Sequence, residues 1–301
     1  MSDKCTDYRF DFVTHRKKYF ILSAFLIVAG IISLCTMNLN LGIDFKSGTR
    51  IQVQIGKVFN EDDVKQTVEK IGLKPGSITT AGSKNDMAVL QFPEPLHKDQ
   101  VAALTKAVQA AYGNHVDVQE SMVNPMISRE LARSALYSIL IASVGIVIYT
   151  TIRFEFRFAL SSIAALLHNV FLVITLFSLF QIEVDLPFIA AILTIVGYSI
   201  HDNIIIFDRI RDNLKRVKVK TVQDVEHVVN YSIGQTLARS INTVLTVLIC
   251  SLALYIFGGE SIRNFTLALI IGLTFGAYSS IFIASQIWVS WRGYDFKRKC
   301  M

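Results

Sequence analysis

GYSIHDNIIIFDRIRDN, Gly197 to Asn213, is the stretch on which the reading of this chain turns. Its first half closes a long apolar run that contains Asp202, and its second half opens a charged border at Asp208. A carboxylate inside such a run raises two questions: what solvent the helix is built for, and what the acid does there.

The rest of the chain answers the first. Of its 301 residues 52% are hydrophobic and only 18% charged, too apolar for an average soluble domain. The apolar residues gather into six stretches: Tyr19–Met37, Ser134–Ile152, Phe158–Phe180, Leu186–Phe207, Leu237–Phe257 and Asn264–Ser285. Each has the roughly 20 residues that a helix needs to cross a ~30 Å hydrocarbon core. The expected class is therefore an α-helical polytopic membrane protein with six transmembrane helices.

Basic residues set the orientation. Arg16, Lys17 and Lys18 precede the first span with Lys4 and Arg9. Arg153 and Arg157 separate the second and third spans, and Arg209, Arg211, Lys215, Arg216, Lys218 and Lys220 the fourth and fifth. Arg292, Lys297, Arg298 and Lys299 follow the sixth, whereas QIEVDLP carries only acids and GGESIRN a single Arg263. The positive-inside rule puts both termini in the cytoplasm. The expected division is a cytoplasmic N-terminus (1–18), a first span (19–37), an outer domain with its linkers (38–133), spans two to six (134–285) and a basic cytoplasmic tail (286–301). The net charge of +6 needs no nucleic-acid partner, because cations flanking spans anchor them at the interface. The first span lacks a small-residue cleavage site and reads as retained. Cys5, Cys35, Cys250 and Cys300 are scattered, without metal or disulfide spacing.

The outer region is patterned. RIQVQI alternates as a half-buried strand, and NEDDVKQTVEKIG opens on Asn60 as a cap and repeats Val64, Val68 and Ile71 at helical spacing. SITTAG and MAVLQF read as strands around the turn GSKND, HKDQVAALTKAVQAAYG as a second helix and HVDVQES as a last strand. The order β-α-β-β-α-β is the ferredoxin-like signature, two helices on one face of an antiparallel sheet. No catalytic or metal cluster lies in it, and His97 and His115 read as solvated loop residues.

Charges inside a span are costly and face the bundle interior by default. Thr194 and Tyr198 share the Asp202 side of the fourth span and extend a polar stripe. In the fifth span Arg239, Asn242, Thr243 and Thr246 share a face, and antiparallel passage puts Arg239 at a depth similar to Asp202. A short carboxylate at that depth must be paired, hydrated or protonated. An arginine that approaches and withdraws would expel and readmit its proton; alternatively Arg239 merely snorkels. His168 and Asn169 in the third span fit a hydrogen-bonded packing pair. Ala268, Gly272, Gly276, Ser280 and Ala284, at four-residue steps, form a close-packing seam in the sixth. TVQDVEHVVNYSIGQT reads as an amphipathic helix lying on the inner surface before the fifth span.

Three motifs together, LGIDFKSGT after the first span, GYSIHDNIIIFDRIRDN in the fourth and GQTLARSINT in the fifth, resemble the SecD/SecF family of the resistance-nodulation-division superfamily. YRFDFVTHRKKYF before the first span is similar to the family as well. The resemblance spans essentially the whole chain and carries the family motif positions Gly42, Asp44, Gly48, Gly197, Asp208 and Arg209. It implies six spans forming half of a twelve-span unit completed by a SecD-like subunit in the bacterial inner membrane. It implies proton-motive-force-driven assistance to preproteins leaving the SecYEG channel, without cofactor or metal, with Asp202 carrying the proton and Arg239 as its partner. Three positions depart from the pattern: Ser47 for a glycine, His201 for an asparagine, and Asn169 for an aspartate, which leaves Asp202 the only acid well inside a span.

Two other readings stay open. A self-contained proton-driven exporter of small molecules would pair with itself rather than with a homologous six-span partner. A membrane assembly scaffold would tolerate neutral Asp202 and Arg239. An intramembrane aspartyl protease would need a second facing acid.

Overall fold

The structure, a computed structural model, describes residues 11–82, 86–113, 115–153, 155–217 and 219–299, with side chains to residue 293. Lys4, Cys5, Tyr8, Arg9, Lys218, Cys300 and most of the expected GSKND turn lie outside the described residues, as do the side chains of Lys297, Arg298 and Lys299.

Helix α1 (Arg16–Met37) leads through a short turn of helix, α2 (Ile43–Lys46), into the extramembrane domain. There β1 (Gly48–Gln54), α3 (Glu61–Glu69), β2 (Ser77–Ala81), β3 (Met87–Phe92), α4 (Lys98–Tyr112) and β4 (Asp117–Val123) follow one another. The sheet is antiparallel in the order β2-β3-β1-β4, the ferredoxin-like arrangement. Strand alternation sends Ile51, Val53 and Leu90 toward the helices, where they meet Val64, Val68, Leu104 and Val108 in a sealed core. The opposite face, away from α3 and α4, carries Arg50, Gln52 and Gln91. Asn60 caps α3, its Oδ1 accepting from Asp62 N at 3.1 Å. His97 stands exposed ahead of α4, its N–H donating to Gln100 Oε1 at 2.9 Å.

Five further long helices follow: α5 (Pro125–Arg153), α6 (Phe156–Leu179), α7 (Leu186–Arg216), α8 (Val222–Phe257), and a sixth spanning helix. The last is α9 (Arg263–Ser279) continued by a π-helical turn (Ser280–Ala284) into α10 (Ser285–Lys299). With α1 these are six helices long and apolar enough to cross a membrane, and the chain is a multi-pass membrane protein. The third, fourth and sixth spans form the centre, each burying half or more of its most apolar window, while the first, second and fifth bury 17%, 6% and 17%. The outer three therefore offer apolar faces to lipid or to another subunit.

One sequence expectation is revised. The segment from Thr221 does not form a separate helix on the membrane surface. It is the first part of α8, started by a capping box in which Asp224 N donates to Thr221 Oγ1 at 3.2 Å and Thr221 N to Asp224 Oδ2 at 2.8 Å. Its Val225, Val229 and Ile233 pack against Ile206, Phe207 and Ile210 of α7, so its apolar stripe is consumed by protein. The sixth helix runs on past Ser285. Trp288 and Val289 are each 1% exposed, with Trp288 stacked on Phe158 at 4.6 Å, and that packing carries the helix on.

Candidate functional site

Helix α7 carries Asp202 about 24 Å along its axis at 1.5 Å per residue. Ser199, Ile200, Asp202, Asn203 and Ile206 face the interior, and Asp202 is only 5% exposed. Among the described residues its carboxylate makes no hydrogen bond or ion pair. His201 next to it is exposed, on a different side of the helix.

The expected pairing with Arg239 is not made in this structure. The residues of α8 that turn inward are Thr236, Ser240 and Val244, and Arg239 lies a hundred degrees away from Ser240, exposed. Asn242 and Thr246 are exposed with it and Thr243 is half-buried. The hydroxyls serve their own helix: Thr243 Oγ1 donates to Arg239 O at 2.9 Å and Thr246 Oγ1 to Thr243 O at 2.8 Å. Thr194 likewise donates to Ala190 O at 2.8 Å, and Tyr198 is half-buried. Equal depth is thus no guarantee of a meeting, because the two charges leave their helices on different sides.

The central helices are pinned by polar bonds. Asn169 Nδ2 donates to Ser199 Oγ at 2.7 Å and to Gly272 O at 3.1 Å, tying α6 to α7 and α9. Ser279 Oγ donates to Ala165 O at 2.8 Å and lies 3.3 Å from His168 Nδ1. A β-carbon on Gly272 would stand 2.3 Å from Ile195 Cδ1, and one on Gly276 3.1 Å from both Asn169 Nδ2 and Ser199 Oγ. Ala268 and Ser280, on the same line, are buried. Among the described residues Asn203 and Gln286 keep both polar side-chain atoms buried without a partner. Sequence reasoning passed over both, since a lone amide within an apolar helix carries no motif.

The motif after α1 has a structural task. Asp44 Oδ2 accepts from Leu186 N at 2.9 Å and Asp185 Oδ1 from Phe188 N at 2.9 Å, so two acids cap the first turn of the helix that bears Asp202. Asn264 Nδ2 donates to Asp185 Oδ2 at 3.0 Å and brings α9 to the same point. Gly42 N donates to Val184 O and Val184 N to Asn40 O, both at 2.8 Å, a short parallel bridge between strap and loop. A β-carbon at Gly42 would lie 2.3 Å from Glu183 Oε1. Gly48 has φ +131°, and its β-carbon would lie 2.2 Å from Phe92 O. Ser47 stands at φ 67°, ψ 167°, backbone that glycine adopts without penalty.

At the other end of the bundle, Asp208 Oδ1 accepts from Arg211 Nη2 at 2.5 Å and stands 3.8 Å from Arg153, while Arg209 Nε donates to Gln235 Oε1 at 2.5 Å. Gly197 is exposed, with nothing within 4 Å of where a β-carbon would be. Sequence reading missed Asn230, which clamps the N-terminal arm to α8. Its Oδ1 accepts from Phe12 N at 2.8 Å and Val13 N at 3.1 Å, and its Nδ2 donates to Asp11 Oδ1 at 2.8 Å. Among the described residues no group of His, Cys, Asp and Glu could hold a metal ion.

A six-span bundle with one ferredoxin-like extramembrane domain, a doubly capped central helix and a buried carboxylate along it defines a class: multi-pass membrane proteins with a folded domain inserted between their first and second spans. The family model "Protein export membrane protein SecD/SecF, C-terminal" matches residues 103–294, and the "SecD/SecF GG Motif" model residues 32–57. The chain belongs to the SecD/SecF family. It is 48% identical over 293 residues to the protein translocase subunit SecF of Alicyclobacillus acidocaldarius, covering 96% of this chain and 95% of that one. It is 47% identical over 290 residues to the protein translocase subunit SecDF of Bacillus subtilis, spanning 96% of this chain but 39% of that longer protein. The crystal structure of SecDF from Thermus thermophilus, a translocon-associated membrane protein, superposes with a TM-score of 0.86 at 31% identity, over 95% of this chain and 39% of that one.

Proposed function

We propose that this chain is a protein-translocase membrane subunit that works beside a SecD-like six-span partner. It uses the proton motive force to help preproteins leave the SecYEG channel across the bacterial inner membrane. In this reading both termini are cytoplasmic and the ferredoxin-like domain stands outside, and the role is mechanical rather than enzymatic. The observation that carries it is Asp202: an acid inside a span, buried and bound to no other group among the described residues. Such a group is a proton carrier by chemistry, since loading a proton removes the charge that apolar surroundings disfavour. Arg239, exposed among apolar residues on α8, faces where a partner's spans would close the unit. Moving an arginine toward or away from the carboxyl drives release or pickup. That the fused relative from Bacillus subtilis continues well beyond the matched part supports a partner of the same design.

The experiment is preprotein export by vesicles carrying this chain and its partner, with and without an imposed proton motive force. Asp202→Asn is expected to abolish the force-dependent stimulation while the complex still assembles. Unchanged export would make Asp202 a buried structural acid and put the scaffold reading first.

A further inference from the structure

At the domain end of the bundle one side chain joins three separate parts of the chain. Glu183 lies in the loop between α6 and α7. Arg50 on β1 and Gln91 on β3 are directly opposed across the sheet, on the face away from α3 and α4. Arg50 forms an ion pair with Glu183 Oε1, and Gln91 Nε2 donates to Glu183 Oε2 at 2.6 Å, so each carboxylate oxygen holds a different strand. The pair is shielded, with the Arg50 and Glu183 side chains 18% and 17% exposed. Glu183 cannot sway away from its strands, because the bridge between Leu41 and Val184 fixes its backbone and Gly42 leaves room for its carboxylate alone. Two residues further on, Asp185 caps the first turn of α7 together with Asp44 from α2.

We infer that Glu183 is the positioning residue through which movement of α7 is passed to the extramembrane domain. The inference rests on the function proposed above. A continuous helix of this length moves as a rod, so a tilt or slide at the level of Asp202 arrives at its capped N-terminus. From there Glu183, the one side chain of the α6–α7 loop bonded to the sheet among the described residues, carries it into β1 and β3. The loop between α8 and α9 touches the domain more lightly: Glu260 Oε1 accepts from Gly82 N at 2.9 Å and is shared with Arg263 Nη1 at 2.9 Å.

The joint combines an ion pair with hydrogen bonds, one partner on each strand. Burial pushes the Glu183 carboxyl above its usual range, and Asp185 adds to this, against the pull of Arg50 and Gln91. Asp44 and Asp185 are the other charged groups gathered there, with Arg50 the facing cation. A neutral glutamine can accept from Arg50 through its oxygen and donate to a flipped Gln91, keeping both bonds.

The test uses the reconstituted complex with spin labels at Lys65→Cys on α3 and Phe257→Cys at the end of α8, the four native cysteines replaced by serine. Double electron–electron resonance gives the distance with and without an imposed proton gradient, and export is measured in parallel. Wild type and Glu183→Gln are expected to show a distance shift on energisation and full stimulated export. Glu183→Ala is expected to lose the shift and at least tenfold of the stimulated export, and Gln91→Met, which removes one of the two bonds, to fall between. An Ala or Met variant that keeps both the shift and the export overturns the inference, as does a wild type without a shift. Asp202→Asn separates the two readings. If it abolishes stimulation while Glu183→Ala does not, only the joint fails; if it leaves export intact, the proton reading fails.

Discussion

Ser47 and Gly48 are neighbours whose substitutions are expected to act with opposite sign. Ser47 occupies φ 67°, ψ 167°, a region that costs a residue with a β-carbon on the order of 1–3 kcal/mol. Its hydroxyl makes no hydrogen bond among the described residues, while its N–H donates to Ile43 O at 2.9 Å, a bond that glycine retains. Ser47→Gly therefore relieves strain at the price of about 0.4–1 kcal/mol of added freedom in the unfolded chain, a net gain of about 1 kcal/mol. Gly48→Ala instead drives a β-carbon to 2.2 Å from Phe92 O at φ +131°. Carbon and oxygen normally stop near ~3.3 Å, so the start of β1 must swing from β3 by about 1 Å. A ladder bond worth ~1 kcal/mol is lost on top of the backbone strain, for a total of about 3 kcal/mol. Pulse proteolysis of the full chain across a urea series reads the domain separately from the spans. With a slope of ~1 kcal/mol per molar for a domain this small, the midpoint should rise by about 1 M for Ser47→Gly and fall by about 3 M for Gly48→Ala. A midpoint that falls in the first variant or holds in the second would refute the reasoning.

Asn230→Ala should free the N-terminal arm, since it strips bonds from Phe12 N, Val13 N and Asp11, where Val13 is 1% exposed. The expected loss is about 2–3 kcal/mol of local stability, seen as rapid cleavage near residue 13 by a protease that leaves the wild type intact. Stability should respond to pH differently at the two ends. Burial raises the carboxyls of Glu183 and Asp185 above their usual values. What they contribute is full below the unfolded value and is lost as pH rises through the folded one. Asp11, although burial opposes it, is held below its usual value by bonds from Thr14, Asn230 and Val13, so its contribution is lost as pH falls through that lowered value. Hydrogen exchange from pH 4 to pH 8, corrected for intrinsic rates, should show the domain joint loosening toward alkali; loosening toward acid there would contradict the assignment.

The extramembrane domain was legible because its signals are local: alternation in RIQVQI, helical spacing of Val64 and Val68, and the Asn60 cap depend on neighbours a few residues away. The six spans were legible for the same reason, since length and absence of charge need no partner. What failed was the rotation of one element against another. Offsets along α8 group Arg239 with Asn242 and Thr243, but nothing in that periodicity says which face turns inward, and packing chose Ser240 and Val244. The amphipathic run after Thr221 suits a membrane surface or a protein neighbour equally well, and α7 and α10 decide between them. Glu183 and Asn230 each act through a single side chain reaching far along the sequence. QIEVDLP consequently read as an orientation signal, though its first acid binds the sheet and its second caps α7.

The clasp on Asn230 bears on how the chain is made. The residues it joins are 217 and 218 positions apart. At 5–20 residues per second, on the order of 10–40 s pass between the emergence of Val13 from the ribosome and that of its anchor. For that whole interval the hydrophobic pair Phe12 and Val13 has nowhere of its own to dock. Seating the arm therefore belongs to the closing stages of biogenesis, after the fifth helix has been delivered, and a nascent chain stalled earlier would present that pair to whatever chaperone attends the insertion site.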